Sequence, residues 1–148
     1  MSLKAKVNDD MKAALRGGDK LRLGTVRMLL AAIKQREVDD RREMTDGECL
    51  QIVEKLIKQR REAAAQFGSG GRADLETKEL EEARILGAYL PAQLNESEIR
   101  ALLDEVIRNT GAAGMKDMGK VMNALRPEVQ GRADMSQISN LVKARLAG

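Results

Sequence analysis

The chain has 148 residues, enough for one domain or two small ones, with 26 Lys and Arg against 23 Asp and Glu for a formal charge of +3. It holds no histidine and single copies of cysteine, phenylalanine and tyrosine. Those counts exclude serine–histidine and cysteine–histidine nucleophile pairs, structural zinc, an intramolecular disulfide and a row of aromatic rings for stacking bases.

A first helix is expected over about Leu3 to Leu15, with Leu3, Val7, Met11 and Ala14 or Leu15 at helical spacing and Gly17-Gly18 as its stop. Asp19 caps a second helix, in which Val26, Leu29, Leu30 and Ile33 recur at i, i+3, i+4 and i+7. Lys20, Arg27 and Lys34, seven apart, line one flank of it; Asp39 to Glu43 is its frayed end or a turn. Thr45 and Glu48 read as a capping box opening a third helix that carries Cys49, Ile52, Val53, Leu56 and Ile57 to about Gln66. Gly68-Ser69-Gly70-Gly71 is expected as a flexible loop; it lacks the Gly-Lys-Ser/Thr ending and the preceding strand of a phosphate loop. A fourth helix from about Asp74 to Tyr89 carries Leu75, Leu80, Ala83 and Leu86, and Pro91 forbids its continuation.

Asn95 and Glu98 open the tail's first helix, with Ile99, Leu102, Leu103, Val106 and Ile107 as its apolar face. A turn at Gly111 to Gly114 leads to a short helix with Met118, Val121, Met122 and Leu125, ended near Pro127. Asp134 opens a last helix bearing Ile138, Leu141, Val142 and Leu146. The expected architecture is all-α: a four-helix N-terminal domain over residues 1–92 and a smaller three-helix bundle over 93–148. No apolar run approaches the roughly 20 residues of a membrane-spanning helix. The opening Met1-Ser2-Leu3-Lys4 lacks the apolar core of a secretory signal, and the lone Cys49 suits a reducing compartment. A cytoplasmic setting away from membranes is the resulting expectation.

Catalytic chemistry is thin. Glu76, Glu79, Glu81 and Glu82 crowd one helix, but they alternate with Lys78 and Arg84 as a wet charged face does. Cys49 reads as a buried, inert thiol, and Met118 and Met122 as gap-filling core. No catalytic centre, cofactor or metal is expected. What remains is charge: Met11 to Arg36 holds seven bases and one acid, and Val106 to the C-terminus holds seven bases and three acids. Solvated helix faces show the same pattern. If a polyanion is bound, near-absence of aromatics favours structured RNA read through phosphates and 2′-hydroxyls. The candidate contacts are Lys116, Lys120, Arg126, Arg132 and Lys143 in the tail. Lys20, Arg27, Lys34, Lys58, Arg60 and Arg61 are the weaker set, with Arg41-Arg42 beside them.

Several segments resemble the YqeY-like protein family. They are Asp19-Lys20-Leu21-Arg22-Leu23, Arg27 to Lys34, Ile57 to Glu62, Tyr89-Leu90-Pro91-Ala92-Gln93-Leu94, Met118 to Met122, Gly131-Arg132-Ala133-Asp134 and Leu141-Val142. The tail is similar to the C-terminal domain of the B subunit of the glutamyl- and aspartyl-tRNA amidotransferase. The resemblance implies a helical N-terminal domain and a tail related to that enzyme's tRNA-contacting end, whose chemistry resides in other domains. Met135 departs from the family pattern, where glycine is common. The expected function is therefore non-catalytic: binding tRNA or another structured RNA, or serving a tRNA-modifying or aminoacylating enzyme. A protein adaptor for a synthetase or amidotransferase subunit is the alternative, and participation in carbon–nitrogen ligation a third reading.

Overall fold

The structure, a computed structural model, describes residues 2–148; Met1, part of the opening read above for a signal, lies outside them. Seven α-helices follow in order: α1 Leu3–Gly17, α2 Lys20–Asp40, α3 Asp46–Ser69, α4 Ala73–Gly87, α5 Glu96–Thr110, α6 Met118–Val129 and α7 Met135–Ala147, with one 3-10 turn at Met115–Asp117. The described residues contain no strand, so the all-α reading holds. The chain divides into two compact units, Met1–Leu90 and Pro91–Gly148.

Local chemistry sets the helix ends. Asp19 accepts from the Arg22 N–H at 3.1 Å, and both capping boxes form: Thr45 with Glu48, and Asn95 with Glu98. Gly18 and Gly111 close α1 and α5 in the left-handed region, at φ 70° and 69°, where a side chain would be strained. The ambiguous stretch after α2 resolves as a turn: the helix ends at Asp40 and Arg41 adopts φ 54°. Two expected boundaries move. Helix α3 runs on through Gly68 to Ser69, because helical hydrogen bonding tolerates glycine and the reversal needs only the positive φ of Gly71. Helix α6 runs through Pro127 to Val129, with the Gln130 N–H reaching the Arg126 carbonyl at 2.9 Å.

In the N-terminal unit α2 packs against α1, α3 and α4, and Val7, Val26, Leu29, Ile33, Val53 and Leu86 are fully enclosed. Cys49 is also fully buried, and desolvation pushes its thiol pKa up, as an inert core residue requires. Tyr89 closes this core from the end of α4: its hydroxyl donates to Asp10 Oδ2 at 2.6 Å while Lys6 Nζ lies 5.6 Å from its ring centroid. The C-terminal unit encloses Ile99, Leu103, Val121, Leu125, Val129, Ile138 and Val142. Met118, Met122 and Met135 pack against that core from its edge. Met135 begins α7 directly after the Asp134 cap, so the turn there forms without glycine.

Candidate nucleic-acid interface

Helix α2 puts Thr25, Val26, Leu29, Leu30 and Ile33 inward, which leaves Lys20, Gly24, Arg27, Ala31 and Lys34 along its solvent face. At 1.5 Å rise per residue the three cations stand about 10 Å apart along the axis, over a ridge about 21 Å long. Gly24 and Ala31, between them, are exposed and small and keep the ridge low. No ion pair or hydrogen bond engages the side chain of Lys20, Arg27 or Lys34 among the described residues, although Lys34 is near enough to Glu37 to attract its charge. The acids close to them in sequence are occupied elsewhere. Asp19 holds the Arg22 guanidinium, and Glu37 accepts from Lys4 Nζ at 2.7 Å and from the Met44 N–H at 2.9 Å. Those two hydrogen bonds, helped by Lys34 nearby, hold the Glu37 carboxyl below its ordinary range.

The other N-terminal candidates divide. Lys58 and Arg61, one turn apart on α3, are exposed. Arg60 is not available in the same way: its Nε lies 3.0 Å from Glu82 Oε2 and 3.7 Å from Glu79 Oε2, and its Nη2 donates to Met28 Sδ. The Nε is enclosed but not aligned for a hydrogen bond, so the contact to α4 is an ion pair. Arg60 therefore links α3 to α2 and α4. Arg42 is similarly engaged, its two terminal nitrogens on the two oxygens of Glu48 at 2.8 and 2.6 Å.

In the C-terminal unit, Lys116, Lys120, Arg126 and Lys143 are exposed. Lys116 and Lys120 flank Asp117, whose carboxyl is held low chiefly by the Ala113 N–H and further by both lysines. Arg126, six residues beyond Lys120, points about 120° away round the helix, so these two do not share one face. Arg132 acts as a clip: its Nε donates to the Ala92 carbonyl at 3.2 Å and its Nη1 to the Glu128 carbonyl at 3.4 Å. Gln93 donates to the Gly131 carbonyl at 2.8 Å and the Leu94 N–H to the Arg132 carbonyl at 2.8 Å. Two segments singled out by resemblance, around Pro91 and around Gly131, thus meet in space, and Gly131 turns there at φ 74°. Leu102, read from sequence as core, is only half-buried and floors an open depression beside Glu105.

No group of three or more His, Cys, Asp or Glu able to hold a metal occurs among the described residues, and no helix among them is long and apolar enough to cross a membrane.

A two-unit helical protein with an open cationic face on one helix is the class these features define. The family described as "Yqey-like protein" matches residues 4–146, and the chain belongs to that family. It is similar to proteins named "Altered inheritance of mitochondria protein 41, mitochondrial". That of Lachancea thermotolerans is 33% identical over 142 residues, 90% of this chain and 75% of that protein. That of Eremothecium gossypii is 39% identical over 89 residues, 60% of this chain and 49% of that protein. That of Kluyveromyces lactis is 35% identical over 89 residues, 60% and 48% respectively. The chain spans about half the length of the last two relatives. Their names correct the cytoplasmic expectation, because these relatives are mitochondrial proteins. The physical reason for the error is plain: a lone buried thiol and the lack of an apolar span separate reducing from oxidising settings, not one reducing compartment from another.

Proposed function

We propose that this chain is a non-catalytic RNA-binding accessory protein whose α2 ridge holds the phosphate backbone of a structured RNA, tRNA being the first candidate. The observation that carries this reading is the row of Lys20, Arg27 and Lys34, exposed and without ion pairs, on a face whose intervening residues are small. Cations already paired to carboxylates must break those pairs before they neutralise phosphate, whereas these three need not. Lys116, Lys120 and Lys143 add positive charge in the C-terminal unit. The resemblance read in the tail's sequence to the amidotransferase B subunit motivates the choice of tRNA, and a synthetase or amidotransferase subunit is the enzyme such an accessory would serve.

The test is a gel shift with bulk tRNA at low salt. The variant Lys20→Glu/Arg27→Glu/Lys34→Glu should bind about 100-fold more weakly, since reversing each cation removes one phosphate contact and adds repulsion. Unchanged affinity in a folded triple variant would reject the ridge as the site. A protein partner is a second reading, favoured by the depression beside Leu102, whose rim is acidic.

A further inference from the structure

We infer that the C-terminal unit receives a basic amphipathic helix of a partner protein in an acidic-rimmed trough along α5. Two adjoining depressions, of about 320 and about 200 Å³, share Leu102 and Glu105. Together they follow one face of α5 from Glu98 through Ala101, Leu102 and Glu105 to Asn109, positions i, i+3, i+4, i+7 and i+11. Eleven residues of helix extend about 16 Å, the length of three turns of a docked helix.

The floor is largely apolar at the end around Leu102 and Ala101 and mixed at the other, where Asn109 and Thr110 join Val106 and Ala124. Leu102 supplies the bulk, while Ala101 and, from α6, the exposed Ala124 keep the surface low enough for a second helix to pack closely. The rim is negative. Glu105 and Glu128 are exposed and make no side-chain ion pair among the described residues, and Glu98 uses its Oε1 on the Asn95 N–H. The one cation at the rim, Arg132, donates to backbone carbonyls. A chain of net charge +3 therefore presents here a locally acidic, open groove with Leu102 at its centre.

That combination selects the occupant. Phosphate would be repelled, so the trough is no part of an RNA site. Of the exposed apolar side chains a second copy could offer, Val38 and Leu80 are flanked by Asp39 and Asp40 and by Glu79 and Glu81, which would set acid against acid. Leu15 and Met115 stand singly beside Arg16 and Lys116 and give no row of anchors; self-association is therefore an outcome of the test below. A helix with apolar anchors at i, i+3 or i+4 and i+7, flanked by Lys or Arg, matches both floor and rim.

The proposal is tested with the whole chain and a fluorescein-labelled peptide of about 12 residues, Leu at those spacings and Lys elsewhere, against a scrambled isomer of the same composition, at about 0.15 M salt. Saturable binding of the helical peptide alone is expected. Glu105→Lys/Glu128→Lys should weaken it by about tenfold or more, and Ala124→Phe, an exposed helix position, should block it by filling the floor. Equal binding of the scrambled peptide would reduce the effect to unspecific charge attraction and overturn the proposal. So would indifference to both variants while circular dichroism shows them folded. Concentration-dependent self-association abolished by the same variants would make a second copy the occupant and overturn it as well. The tRNA affinity should not fall in either variant, so this test fails or succeeds independently of the α2 ridge.

Discussion

Each unit has one face on which charges of a single sign stand unpaired, and the sign differs between them. In the N-terminal unit, acids are drawn into ion pairs that link helices or cap them, Glu37 with Lys4, Glu48 with Arg42, Glu79 and Glu82 with Arg60, and the cations of α2's outer face are left free. In the C-terminal unit α5 pairs Glu96 with Arg100 and Asp104 with Arg145, but on another face Arg132 is spent on backbone carbonyls while Glu105 and Glu128 stand open beside Leu102. Net charge says little about either surface. What matters is which side chains the fold has already paired.

The contrast breaks most visibly in binding. The triple reversal on α2 should cost about 100-fold in tRNA affinity, equivalent to about 2.7 kcal/mol, whereas Lys116→Glu/Lys120→Glu should cost about tenfold, since Asp117 already shares their charge. Stability comes next. Arg60→Ala strands two partly buried glutamates and should lower the stability of the N-terminal unit by about 2 kcal/mol, between the values for exposed and buried pairs. Tyr89 is the only tyrosine and the chain has no tryptophan, so its fluorescence in urea follows that unit alone. Arg132→Ala should leave the tyrosine transition in place and destabilise the C-terminal unit by about 1 kcal/mol through its lost hydrogen bonds. An Arg132 variant that instead abolished tRNA binding without loss of stability would return that residue to the interface.

Smaller effects sharpen the same division. Thr45→Ala and Asn95→Ala each remove a capping side chain and should cost about 1 kcal/mol, the first in the N-terminal unit and the second in the C-terminal unit. Acid should act first on the N-terminal unit. Glu48 is held at about 2 by Arg42 first and by the Thr45 N–H next, and Glu37 is also lowered, from an ordinary value of 4.5. A carboxyl depressed in the folded state contributes stability above its unfolded value, and that contribution is lost as pH falls from about 4.5 toward 2. Glu48→Gln should flatten the decline of the tyrosine transition over that window. A decline unchanged in that variant would show that Glu48 carries none of it.

Much of the fold was legible because its signals are local. A cap and its partner lie three residues apart, as in Thr45 and Glu48, and apolar side chains repeat within one or two turns. The moved boundaries at Gly68 and Pro127 show where a residue's general preference yields to neighbouring hydrogen bonds. The surface was harder to read because it depends on distant partners. Arg60 and Arg61 are adjacent and chemically identical, yet only Arg60 meets acids 19 and 22 residues away. Arg132 looked cationic and available until its guanidinium was found on a carbonyl 40 residues back. The seven-residue spacing of Lys20, Arg27 and Lys34 was visible, while their freedom from pairing was not. The trough on α5 was hidden for another reason: Leu102 has core spacing and packs against the core, yet it stays partly exposed where the two depressions meet.

The most direct measurement is the salt dependence of tRNA affinity for the parent chain and for Lys20→Gln/Arg27→Gln/Lys34→Gln, with folding checked in each. Each lost phosphate contact should reduce the slope of log affinity against log salt by about one, so the variant's slope should be shallower by about two to three. Equal slopes in the two proteins would mean that α2 neutralises no phosphate and is not an RNA-binding face.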